Sequence, residues 1–145
     1  MKNHKNSVVK NIVLLGIIIF MFSACAKKVS FLNSAVVPSA EGTVAIKEDN
    51  NNNYTIDMKV KRLADPERLT PPKNVYVVWM ETKDRGVQNL GQLNTSTKGL
   101  SNMLSSSLKT VSSHQPIGFF ITAEENADGN YPGMTVVLKT DPIIY

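Results

Sequence analysis

At 145 residues the chain has room for one ordinary domain, and its 16 basic against 12 acidic residues give a formal net charge of +4. That excess is no footprint of nucleic-acid binding. Lys2, Lys5 and Lys10 precede a signal-like apolar run, whereas all 12 acidic residues follow it, so residues 25–145 carry 13 basic side chains against those 12. The single cysteine, Cys25, excludes an internal disulfide, and the core must hold the fold by packing alone.

Residues 1–24 have the three parts of a bacterial export signal: a basic start, an apolar run from Ile12 to Phe22, and small residues at the cut. The run is short for a bilayer span, which needs about 20 apolar residues. Phe22-Ser23-Ala24-Cys25 resembles the bacterial lipobox, with Phe22 in place of the usual Leu. That resemblance implies a diacylglycerol on Cys25 and cleavage before it, so the membrane partner is reached through lipid on Cys25. The rival is ordinary cleavage at Ala24-Cys25-Ala26, which would discard Cys25. Ala26 stands where an Asp often marks inner-membrane retention, and no acidic run follows, so the expected address is the outer membrane, facing the periplasm. Lys27-Lys28 reads as a solvated tether, although two cations beside anionic lipid add a weak attraction.

Residues 25–40 read as lipidated cysteine and tether or first strand, and residues 41–145 as a β-sandwich domain. Thr43–Lys47 places Val44 and Ile46 on one face, and Asp49–Asn53 is a hairpin loop of residues that bond their own main chain. Tyr54, Ile56, Met58 and Val60 alternate with Thr55, Asp57, Lys59 and Lys61, giving one core face and one wet face. Ala64–Pro72 has three prolines and crosses between sheets.

Val75-Tyr76-Val77-Val78-Trp79-Met80 is apolar on both alternations, which predicts a central strand covered on both sides, with Trp79 a core residue. A turn at Lys83–Gly86 leads to a strand through Val87, Leu90 and Leu93 in which Gly91 signals a bulge. From Thr95 to Val111 helical and alternating spacings compete; a loop followed by a strand from about Met103 is preferred over a short helix. Pro116–Glu124 is a strong strand, and Met134–Leu138 is the last. Seven or eight short strands separated by turns predict an all-β antiparallel sandwich.

Three segments carry a family likeness: Tyr76-Val77-Val78-Trp79, Asn89-Leu90-Gly91-Gln92-Leu93, and Phe120-Ile121-Thr122-Ala123-Glu124 followed by Pro132-Gly133-Met134-Thr135-Val136-Val137-Leu138. Together they resemble the extracytoplasmic C-terminal domain of the anti-sigma-K-factor family. The resemblance covers most of residues 42–140 and implies an immunoglobulin-like sandwich. Family members that inhibit sigma factors place a cytoplasmic helical domain and a membrane helix before this module, where here a lipoprotein signal stands, so the inhibitory activity does not transfer.

Catalytic, cofactor and metal residues are expected to be none. His114 is the one histidine after the signal, which excludes Cys-His catalysis and a two-histidine metal motif. Serines such as Ser112 and Ser113 leave a Ser-His-Asp set open by counting, yet no nucleophile elbow is present. Glu124–Asn130 spaces oxygens loosely like a calcium loop, but Glu opens it and Thr135 stands where the closing Glu belongs, so it reads as a turn.

The expected function is a non-enzymatic envelope lipoprotein whose sandwich contacts a protein partner or senses the envelope; the alternative is a small-ligand or metal-binding periplasmic module. The address is checked by Cys25→Ala. The exported and processed variant should leave the membrane fraction for the soluble one, and its persistence in membranes would overturn the lipid anchor.

Overall fold

Period-two alternation writes strands along most of the chain, and where both faces are apolar the strand takes the middle of a sheet. The computed structural model describes residues 26–97 and 104–145. Cys25 and the rest of the signal lie outside the described residues. Within them stand nine strands: β1 (Lys27–Ser30), β2 (Glu41–Glu48), β3 (Tyr54–Lys61), β4 (Val75–Thr82), β5 (Gly86–Gln92), β6 (Asn94–Thr97), β7 (Leu104–Ser112), β8 (Pro116–Glu124) and β9 (Val136–Lys139). All pairings are antiparallel, in a five-stranded sheet of order β1-β2-β3-β7-β6 and a four-stranded sheet of order β5-β4-β8-β9. The all-β sandwich is as expected, with nine strands instead of seven or eight.

The core forms where the two inner faces meet. Val44 and Ile46 of β2 and Tyr54, Ile56, Met58 and Val60 of β3 come from one sheet; Tyr76, Val78 and Met80 of β4 and Phe119, Ile121 and Ala123 of β8 come from the other. The remaining alternation of β4 and β8 builds a second, smaller cluster of Val77, Trp79 and Phe120 on the outer face. Trp79 and Phe120 are register partners whose rings stack 6.4 Å apart at 14°.

The segment expected as tether or first strand is a strand. Lys27–Ser30 pairs with β2, and Phe31 and Leu32 then bridge to Thr140 and Lys139 beside β9. Phe31 can lie there because Gly42 has no Cβ, which would fall 2.7 Å from its ring. Ser34 donates to Val137 O and accepts from the Val37 amide, turning Val37 and Ala40 into the core. Of the two readings of residues 25–40, tether or first strand, the strand is the one present, and it begins at Lys27, the second residue after Cys25.

Two further boundaries differ. The ambiguous stretch after Thr95 contains β6, not anticipated, and β7 from Leu104. From Leu104 the helical alternative gives way to a strand in which Leu108 faces Met58 and Ser106 pairs with Val60, while residues 98–103 of that stretch lie outside the described residues. Met134, expected in the last strand, is fully exposed in the loop before β9.

The turns are as their residues suggest. Asp49 accepts the amides of Asn51 and Asn53, which hold its carboxyl below the usual range, Asn53 contributing most, and Asn52 takes the left-handed backbone. Gly86 and Gly91 both have positive φ; Gly91 sits where β5 gains one residue on β4, the expected bulge.

Two ends of the sandwich result. At one, the β2–β3 hairpin, the β4–β5 hairpin and the β7–β8 turn meet: Tyr54 pairs with Ser112, and the Lys83 amide donates to Gln115 O. At the other lie the β3–β4 connection, with one 3-10 turn at Pro66–Arg68, and the β8–β9 loop. Eight-residue strands put about 26 Å between them.

Ile56→Ala, at a site with no solvent exposure, should cost about 2–5 kcal/mol, against under about 0.5 kcal/mol for Val111→Ala on the exposed face of β7. Urea denaturation followed by circular dichroism measures both, and equal losses would contradict the placement of this core.

Candidate functional site

The outward residues of β4 and β8 need a cover, and the β8–β9 loop supplies it. Trp79 Nε1 donates to Thr122 Oγ1 at 2.8 Å and to Glu124 Oε1 at 3.2 Å. Thr122 Oγ1 donates to Glu124 Oε1 at 2.5 Å, and the Gly133 amide donates to the same oxygen at 2.9 Å. One carboxylate oxygen thus joins the indole, the strand hydroxyl and the far limb of the loop. A Cβ on Gly133 would stand 3.2 Å from the Glu124 carboxyl, so the glycine lets the backbone approach.

The near limb is held from β5. Asn89 Nδ2 donates to Ala127 O and Gly129 O, both at 2.9 Å, while its Oδ1 accepts the Gly91 amide inside the bulge. Ala127 packs on the Trp79 cluster. From the β3–β4 connection, Lys73 pairs with Glu125 at 2.8 Å, and Asn74 donates to Glu125 O and Oε2. The connection and the loop are therefore fixed to each other.

The result is an open groove of about 410 Å³ between Pro71, Lys73, Glu125, Asp128 and Met134. A second groove, of about 400 Å³, opens between the sheets beside Asp65, Tyr76 and Leu93. Tyr76 donates to Ala64 O there, and burial, with the Asp65 charge adding to it, pushes its hydroxyl up to about 12. Among the exposed side chains of the loop are two large hydrophobic ones, Tyr131 at 84% exposure and Met134 at 102%.

The other residues singled out in the sequence lie elsewhere. His114 is in the β7–β8 turn at the far end, its Nδ1 3.2 Å from Asp84 Oδ2. Ser112 completes no triad with them, since its hydroxyl engages the main chain of His114 at N and O and not the ring. Glu124 and Glu125 of the calcium-like stretch are turned to Trp79 and Lys73, and the described residues contain no group of three metal-ligating side chains. No helix among them is long and apolar enough to cross a membrane. Asn89 stands in the family-like segment Asn89-Leu90-Gly91-Gln92-Leu93, but nothing in the sequence pointed to its hold on the β8–β9 loop.

Compared with family models, curated proteins and solved structures, the chain finds no match in any of the three.

The latch is testable by substitution. Glu124→Ala removes the acceptor of the Gly133 amide and should cost about 1–3 kcal/mol while making the β8–β9 loop sensitive to protease. Glu125→Ala removes a pair exposed to solvent and should cost under about 1 kcal/mol. Urea melts with limited proteolysis read both effects, and an unaltered loop in Glu124→Ala would refute the latch.

Proposed function

We propose that this chain is a bacterial envelope lipoprotein, anchored through Cys25 in the outer membrane and facing the periplasm, whose immunoglobulin-like β-sandwich is a non-catalytic platform for a protein partner. The observation that carries the reading is the pinned β8–β9 loop, which holds Tyr131 and Met134 in full exposure at the end of the sandwich away from Lys27. Aromatic and methionine side chains are enriched in protein interfaces, and a loop already fixed by Glu124 and Asn89 has less ordering entropy to lose on binding. The segments that resemble the extracytoplasmic module of the anti-sigma-K-factor family supply this construction: Trp79, Asn89, Thr122, Glu124 and Gly133 all lie in them.

The small-ligand alternative has weaker support. Both grooves are open, and three of the charged groups that line the first are already engaged, Lys73 with Glu125 and Glu124 with the indole.

A photo-crosslinking amino acid at Met134 of the anchored protein in cells should give one discrete adduct identifiable by mass spectrometry, abolished by Tyr131→Ala and absent when the crosslinker replaces Val111. Identical adducts from both positions, or none from Met134, would count against the partner face.

A further inference from the structure

The end of the sandwich that begins at Lys27 has a composition of its own. Lys27 reaches across to the C-terminal segment: its Nζ donates to Ile144 O and stands 4.5 Å from the centre of the Tyr145 ring. The Ile143 amide donates to Ile117 O, so this segment runs down beside the start of β8. The Tyr145 hydroxyl, pushed up to about 12 chiefly by desolvation, also feels Tyr54 and Glu48, which places it against the β2–β3 hairpin. Ile144 is 85% exposed and Tyr145 55%.

Around this apolar pair lie the cations Lys27, Lys28, Lys47, Lys83 and Arg85, and Lys28, Lys47, Lys83 and Arg85 are exposed. The anions at the same end are Glu48, Asp49, Asp84 and Asp141, the last exposed on the C-terminal segment itself. Glu48 accepts from the Tyr54 hydroxyl, Asp49 is turned into its own hairpin and Asp84 faces His114. The five cations exceed these four anions by one, and Lys27 among them touches the exposed isoleucine-tyrosine pair of that end.

Chain geometry adds the occupant. Two peptide steps separate Cys25 from Lys27, so their Cα atoms lie within about 7 Å of each other. With β1 starting at Lys27, no tether exists to lift the domain from whatever holds Cys25.

We propose that this end is a membrane-docking face: Ile144 and Tyr145 enter the interfacial region while Lys27, Lys28, Lys47, Lys83 and Arg85 meet anionic lipid headgroups. The inference rests on lipidation of Cys25 and goes beyond it, because it fixes orientation. The β8–β9 loop then points away from the bilayer, about 26 Å above it. Tyrosine is enriched at membrane interfaces, where its amphipathic ring sits at the level of the headgroups. Each lysine near an anionic surface should multiply the docked population about fivefold.

The test uses the full processed lipoprotein reconstituted in vesicles of phosphatidylcholine with or without phosphatidylglycerol. A fluorophore is attached to an introduced cysteine, Asn51→Cys in the β2–β3 hairpin or Met134→Cys in the β8–β9 loop, with nitroxide-headgroup lipid as quencher. Strong quenching at residue 51, none at residue 134, and a gain with phosphatidylglycerol support the face. Lys47→Gln with Lys83→Gln should reduce the ratio of docked to undocked protein roughly 25-fold in the anionic vesicles, with an unchanged circular dichroism spectrum. Quenching that is equal at the two positions, or that the double substitution leaves unchanged, overturns the docking face while the anchor stands. A mass without acyl chains on Cys25, together with failure to sediment with either vesicle, overturns anchor and face together.

Discussion

The pairing of β4 with β8 is the constraint from which the rest follows. Both strands are apolar on both alternations, and Val77, Val78, Trp79, Met80, Phe119 and Ile121 are all within the buried set. Such a pair cannot sit at the surface of a two-layer sandwich without a cover on its second side. The five-stranded sheet covers one face. The other is covered by a loop, and the loop must be held by something stronger than its own few apolar atoms.

That requirement accounts for the polar residues on the outer face. Trp79 is large enough to need the loop and carries an N–H that must find an acceptor once water is excluded. Thr122 and Glu124 stand two and four residues beyond Phe120 on the same side of β8, which brings their oxygens to the indole. The same Oε1 of Glu124 also receives the Gly133 amide. A glycine is needed at 133 by close approach and not by an unusual turn. The residues that look like a motif are therefore joined by one chemical need, satisfying a buried indole under a loop.

The same economy shapes the opposite end. The first residues after the cysteine are consumed as an edge strand, and the last residues of the chain fold back along them. Lys27 and the point at which the β8–β9 loop leaves β8 thus lie at opposite ends of the strands, while the loop itself folds back over Trp79 and Asn89.

Much of this was legible in the sequence. Strict alternation placed β3, two-sided hydrophobicity placed β4 at the centre of a sheet, β8 read as a strong strand, Asp49–Asn53 and Lys83–Gly86 marked the hairpins, and Gly91 marked the bulge. These are decided by neighbours one or two residues away, so periodicity reports them. β7 was obscured because its core-facing positions include Ser106 and Ser112, whose burial depends on what lies across the sheet and not on their own apolarity. The tertiary structure alone decided that Lys27 opens a strand and that Met134 leaves one. It alone brought Trp79 to Glu124 and Asn89 to Gly129, pairs 45 and 40 residues apart. Their contact depends on register across strands and on how a loop lies over a sheet, and no local pattern encodes either.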